Sequence, residues 1–378
     1  VISTNSLTRR LLIGFQFIVF TGLLISSFVI YKQMQLMMSD DLGYNKDNML
    51  IIDIPQDNKY PNTIPAFIGE LKNDNSIIDA SYTSSLPPAL GNTLYTRITP
   101  DLNPQKKIEI LYITCDKNFI PTMGLKLTDG KNFGDPKNNV NEVIINEMLK
   151  NKLDLKEPVI GKSIIFNGNR VKVIGVIKNF FAQSFYKPLM PVILTNSSEY
   201  SSKVILKYRQ KNLEKAMTSV RKVWKGFFHN SILNLSFSDK ELQKVYDNDL
   251  HFSKIIFLFT LVAVFISVIG LASLTSITAA KRRKEIGIRK VMGASVTEVM
   301  MLLGKEVFYI SLIGALIAWP LSFYFIGSWL DNYTYKTQLT LIYPLLAFLA
   351  GLIIAFAAIS FQTFKAAAAN PVDSLHHE

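Results

Sequence analysis

Four long stretches of this chain carry no charged side chain: Leu11 to Tyr31, Ile255 to Ala280, Val307 to Leu330 and Leu339 to Phe364. A helix rises about 1.5 Å per residue and a bilayer's hydrocarbon core is about 30 Å thick, so each stretch is long enough to cross it. A soluble core needs no apolar blocks of this length. With 49% hydrophobic and 19% charged residues among 378, the chain reads as a four-span membrane protein. The first run follows Arg9 and Arg10, as a signal peptide would. It is longer than a typical h-region, and Tyr31, Lys32 and Gln33 stand where small residues would mark cleavage, so an uncleaved anchor is expected.

Translocation is biased against Lys and Arg close to a span. Arg9, Arg10, the six basic residues within 281–290 and Lys365 therefore place residues 1–10, 281–304 and 365–378 in the cytoplasm. Residues 32–250 fall outside, between spans at 11–31 and 255–280, with the last two spans at 307–330 and 339–364. Trp329, Tyr333, Tyr335 and Tyr343 suit an aromatic belt at the outer surface.

The external domain reads as α+β. "NMLIIDI" (48–54) and "IIDASYT" (77–83) are strands, and between them Ile64, Phe67, Ile68 and Leu71 give the stripe of an amphipathic helix. The same order returns with "KVILKY" (203–208), a helix carrying Leu213, Met217, Val220, Trp224 and Phe227 on one face, and "ILNLSF" (232–237). In the middle, "SIIFNGNRVKVIGVIKNF" (163–180) is a hairpin, because Asn-Gly suits the positive φ angles of a tight turn. The expected layout is an α/β subdomain (45–95 and 200–240) with a β-rich subdomain (95–200) inserted into it. Cys115 is alone, so no intramolecular disulfide is possible, and it reads as a small buried hydrophobe.

Both ends of the domain read as helical stalks. Ser238 with Glu241 is a capping box, and no Gly or Pro follows before the second span, which predicts one helix over 238–256. Span one continues through "YKQMQLMMSDD" with no breaker before Gly43. In the cytoplasm, Lys281 to Met292 predicts a helix with a Glu285–Arg289 pair, stopped by Gly293, and Ser295 with Glu298 is a second capping box. An orientation signal with lipid-headgroup contacts would account for six basic residues alone. The order of charged and small apolar residues goes beyond it.

That order resembles a family. "AAKRRKEIGIRKVMGASVTEVMMLL" (279–303) is similar to the signature of FtsX-like or MacB-type permeases, and "NPVDSLHHE" (370–378) resembles their C-terminal ending. "EVIINEMLKNKLDLKEPVIGKSIIFNGNRVKVIGVIKNF" (142–180) resembles the MacB-type periplasmic core. "LLIGFQFIVFTGLLISSFVIYKQMQLMMSDDLGYNKDNMLII" (11–52) is similar to the repeat start of long Bacteroidetes permeases and points to the C-terminal half of a tandem permease, while Val1 in first position suggests a fragment or a processed product. The resemblance implies a fold of four transmembrane α-helices plus a large α+β extracytoplasmic domain, a MacB-type periplasmic core with two subdomains, in the inner membrane. It implies an ATPase-coupling site at Arg283, Lys284, Glu285, Ile286, Gly287, Arg289, Lys290 and Gly293. The implied partners are a cytoplasmic ABC ATPase dimer that binds ATP and Mg, a second permease copy or homologous half, a periplasmic adaptor and outer-membrane channel, and membrane lipids. No cofactor is expected in this chain, and no nucleic acid.

Other chemistry has weak support. "GKS" at 161–163 mimics the end of a P-loop, but Lys156 stands where the first glycine is required and the site falls outside the membrane, so Gly161 reads as a turn and the chain as no enzyme. His229 and His251 are isolated, His376 and His377 sit in the tail, and no metal-ligand spacing or nucleophile elbow appears. The spans lack the ionisable residues that mark ion pathways. Their Gly, Ala and Ser residues, as in "IGLAS" (269–273) and "FLAGLIIAFAAIS" (348–360), suit close helix packing, and Pro320 suits a bend. Two functions of different class remain: a mechanotransmission permease for export or extraction of a peptide, lipoprotein or drug, and a non-transporting regulator that activates an external partner such as a cell-wall hydrolase.

Overall fold

The computed structural model describes residues 4–38, 42–55, 63–88, 90–91, 93–100, 105–134, 141–154, 157–293 and 295–367. From the N-terminus run α1 (Thr4–Met37), β1 (Met49–Asp53), α2 (Thr63–Lys72), β2 (Ile77–Thr83), the short pair β3 (Ser85–Leu86) and β4 (Leu90–Gly91), β5 (Leu94–Pro100) and β6 (Ile108–Cys115). Then come α3 (Phe119–Met123), β7 (Leu127–Gly130), β8 (Glu142–Asn146), α4 (Glu147–Leu153), β9 (Ser163–Phe166), β10 (Asn169–Ile177), β11 (Val192–Asn196) and β12 (Lys203–Tyr208). The last part holds α5 (Leu213–Phe227), β13 (Leu235–Phe237), α6 (Ser238–Val245), α7 (Asp247–Lys281), α8 (Arg283–Val291), α9 (Val296–Leu330) and α10 (Ile342–Ala367). Two compact units result, one of Val1–Met37, Asn248–Asn332 and Lys336–Glu378, the other of Met38–Asp247 with Tyr333–Tyr335.

In the helical unit, α1, α7, α9 and α10 are each long and apolar enough to cross a membrane. The fourth helix starts at Ile342, a little after the expected Leu339. Phe17 and Phe20 of α1 pack in one cluster with Leu271, Val307 and Ala355. Small residues let these helices approach: a Cβ on Gly314 would lie 3.0 Å from the Phe17 Cβ, and one on Gly351 would lie 3.2 Å from the Phe20 ring. Ser27 and Thr260 share a hydrogen bond of 2.8 Å within the bundle.

In the α+β unit, β13, β1, β12 and β2 lie in that order and pair antiparallel. The two strand-helix-strand units are interleaved, with β12 of the second lying between β1 and β2 of the first, as in a split βαβ fold. Helices α2 and α5 cover one face, where the Phe67 ring meets the edges of Trp224, Phe227 and Phe228. The strand expected over 232–237 forms only at Leu235–Phe237, and Ile232 is 94% exposed. The Trp224 indole N–H donates to Ser231 O (3.0 Å), which turns this stretch toward α5 before it can join the sheet edge.

The β-rich half continues the same eleven-stranded sheet, joined at Thr83 opposite Cys115. Its hairpin β9–β10 turns at Asn167 (φ 48°) and Gly168 (φ 80°), as the Asn-Gly pair predicts. The seam between the halves is lined by buried polar groups. Ser202 Oγ donates to Ser84 O (2.6 Å), the Thr114 N–H to Ser84 Oγ (3.0 Å), and Ser81 Oγ to the Asp116 carboxylate, which also accepts from Asn118. Burial outweighs these hydrogen bonds and raises the Asp116 pKa to about 6.

Helix α1 continues past Tyr31 as far as Met37, and residues 39–41 of the expected first stalk lie outside the described residues. The second stalk differs from the sequence expectation. Ser238 is the first residue of α6 and makes no cap, because the N-cap position falls on Phe237. The helix expected over 238–256 breaks at Tyr246 (φ −111°, ψ 19°), which separates α6 from α7 and turns the Tyr246 ring into the interior, where it is 1% exposed.

Candidate functional site

Only Arg282 separates α7 from α8, and helical bonding runs through it: its N–H donates to Thr278 O (3.1 Å) and its carbonyl accepts from Ile286 N–H (2.9 Å). Glu285 sits 3.0 Å from Arg289 and 4.0 Å from Arg282. Exposed pairs of this kind are worth about 0.5 kcal/mol each, so they orient the carboxylate more than they stabilise the helix. Ile288 is 62% exposed and Met292 83%, while Ile286 and Gly287 are half-buried. The helix ends at Val291, and Gly293 (φ 91°) takes a left-handed turn that any side chain would strain. The second capping box is present, with Ser295 Oγ accepting from Glu298 N–H (3.3 Å) and Glu298 Oε2 from Ser295 N–H (3.1 Å). Of the eight expected site residues, Arg283, Lys284, Glu285, Ile286, Gly287, Arg289 and Lys290 lie on α8 and Gly293 at its exit; the side chains of Arg283, Lys284 and Lys290 are outside the described residues.

Sequence reasoning missed a second constellation. In the α+β unit, Phe181 stacks on Phe185 (4.5 Å), and Tyr335 sets its edge against both rings (4.8 and 5.9 Å). Tyr333 stacks on Tyr186 (5.0 Å), whose ring also lies 6.0 Å from that of Tyr246. The backbone is tied as well: Thr334 N–H donates to Phe185 O (2.9 Å), Leu189 N–H to the Tyr335 hydroxyl (3.4 Å), and Phe185 N–H to the Tyr246 hydroxyl (2.9 Å). Tyr333 and Tyr335, expected in an interfacial belt, group with the α+β unit, where Tyr333 is buried and Tyr335 half-buried. The available signal was the aromatic density of "NFFAQSFY" (179–186), which exceeds what a surface loop needs.

Gly161 (φ 90°) makes a turn before β9, with its N–H donating to Val173 O (2.8 Å). Among the described residues no three His, Cys, Asp or Glu side chains are placed to hold a metal, and His376 and His377 lie outside them. Cys115 is fully buried, and burial followed by the neighbouring Asp116 charge pushes its thiol well up, away from nucleophilic reactivity.

The family model described as MacB-like periplasmic core domain matches residues 19–223, and the one described as FtsX-like permease C-terminal matches residues 257–371. The chain belongs to the MacB-type, FtsX-like permeases. It is 27% identical over 321 residues to the macrolide export ATP-binding/permease protein MacB of Neisseria gonorrhoeae, covering 79% of this chain and 48% of that protein. With the protein of the same name from Neisseria meningitidis it shares 29% identity over 265 residues, covering 65% and 39%. This permease thus spans about half the length, or less, of these curated relatives. The crystal structure of the periplasmic region of MacB from Actinobacillus actinomycetemcomitans aligns with a TM-score of 0.41 at 16% identity, covering 56% of this chain and 98% of that one. Family membership and the four apolar helices make the protein a multi-pass inner-membrane permease with a large α+β domain of periplasmic type.

Proposed function

We propose that the chain is the permease part of an ABC transporter of the mechanotransmission type. A separate cytoplasmic ATPase dimer, holding ATP and Mg, docks on the 281–293 segment and moves the periplasmic domain to export or extract a peptide, lipoprotein or drug. Two copies or two homologous halves meet the two docking surfaces of the ATPase pair.

The exposed face of α8 carries this reading. Ile288 on α8 and Met292 just past its end offer exposed apolar contact, and Glu285, one turn before Ile288, is held in place by Arg289. Gly287 adds a second argument. A mid-helix glycine costs roughly 0.5–1 kcal/mol relative to alanine, yet a Cβ there would meet nothing within 4 Å in this chain. Close approach of a partner's surface gives that glycine a reason. The relatives' names join ATP-binding and permease, and alignment of this chain with about half of their length supports an ATPase separate from the aligned residues.

The test is Glu285→Lys beside the neutral exchange Lys281→Arg, each co-expressed with the cognate ATPase. Glu285→Lys should insert normally and keep the thermal transition of the periplasmic unit while losing ATPase stimulation and transport; Lys281→Arg should keep both. A fully active Glu285→Lys protein would refute the assignment.

A further inference from the structure

A cleft of about 350 Å³ in the α+β unit is lined by Gly43, Tyr44, Lys46, Asp47, Lys126 and Lys178, with Asn45 and Gly124 completing the wall. Its three lysines come from three separate stretches of chain, and backbone hydrogen bonds lace these stretches together. Asn45 N–H donates to Met123 O (2.7 Å), Lys178 N–H to Lys126 O (2.8 Å), and Phe181 N–H to Leu42 O (3.0 Å). The approach is tight enough that a Cβ on Gly43 (φ 80°) would lie 2.7 Å from Asn179 O and 2.8 Å from Phe180 Cα. The backbones of the three stretches are thus fixed relative to one another.

Among the described lining residues Asp47 is the single carboxylate, and of the three lysines Lys46 is already engaged, its ammonium donating to Met38 O (2.5 Å). Lys126 and Lys178 are exposed, and among the described residues no carboxylate is paired with either. Burial, and after it the nearby Tyr246, pushes the Tyr44 phenol up, so it stays neutral and adds no negative charge. A braced backbone that presents two uncompensated cations, Lys126 and Lys178, stabilises a ligand that brings negative charge and several acceptor oxygens. We propose that this cleft binds a phosphate-bearing ligand. The chain reaches Gly43 only a few residues beyond Met37, the last residue of α1, so a lipid headgroup is one source of that phosphate and a soluble phosphate the other.

The proposal is independent of ATPase coupling and is tested without nucleotide, on the full chain in detergent. Thermal unfolding of the periplasmic unit is followed against inorganic phosphate and against micelles doped with dioleoyl phosphatidic acid, for the wild type, Lys126→Gln/Lys178→Gln and the control Lys106→Gln/Lys107→Gln. A saturable stabilisation of the wild type by either probe, weakened at least about tenfold in affinity in the cleft variant and retained in the control, is expected; inorganic phosphate alone would identify a soluble source, phosphatidic acid alone a lipid. No saturable response in the wild type, or equal responses in the wild type and the cleft variant, would overturn the proposal. So would equal loss in both variants, which would show only a general effect of net charge.

Discussion

The segment between α7 and α9 and the loop between α9 and α10 both join long apolar helices, but their apolar side chains meet different surroundings. Ile288 and Met292 of the first project from the chain, whereas Tyr333 of the second is 3% exposed and stacked on Tyr186. The first is exposed in this chain and the second is filled. A change in the filled site must register as stability of this protein alone, and, on the docking proposed above, a change in the exposed site only when the ATPase is present.

Tyr333→Ala is the strongest way to test the filled side of this contrast. Removing a buried aromatic ring costs about 3 kcal/mol, which for a unit of this size lowers Tm by on the order of 10 °C. Differential scanning calorimetry of the detergent-solubilised chain should show that loss, with ATPase binding unchanged. An unchanged transition would mean that the loop is not anchored. Ile288→Asp tests the other side. An exposed residue at the centre of a docking surface is worth about 2 kcal/mol, so ATPase affinity should fall about thirtyfold while Tm stays within about 1 °C. Equal affinity for the two proteins would remove Ile288 from the interface.

The smallest effect probes an interior that is neither exposed nor purely apolar. Asp116 titrates near 6 in the folded unit and from 3.8 ordinarily, so between about pH 4 and pH 6 the folded state binds the extra proton. Stability therefore falls as pH rises through that window and the penalty persists above it, by on the order of 1–2 kcal/mol. Asp116→Asn should flatten this slope in urea unfolding at pH 4, 5 and 6. A slope that survives the substitution would assign it to another group.

The same contrast explains what was legible beforehand. The four apolar helices, the Asn167–Gly168 turn, the stop at Gly293 and the cap at Ser295 are written within a few residues of where they act, in periodicity or local hydrogen bonding. The eight positions proposed for coupling were equally accessible as a pattern, since seven of them fall together on α8 and Gly293 lies just past its end. The aromatic cluster unites residues near 181–189, 246 and 333–335, and no local rule connects those stretches. Ser238 failed for a related reason: its pattern fits a cap, but the helix starts one residue earlier than the motif assumes, so Ser238 is already inside it, and the requirement to bury Tyr246 breaks the helix beyond it. Interleaving of β12 between β1 and β2 was hidden too, since each strand is legible by itself while its neighbour is chosen across more than 100 residues.

Cys115 bears on how such questions can be asked. It lies at the seam of the sheet with no exposed surface, and its thiolate form is suppressed by burial. A maleimide therefore finds no target in the native protein. Spectroscopic probes can be attached at chosen single positions without first removing the natural cysteine, and any signal that later develops at Cys115 itself reports that the seam between the two halves has opened.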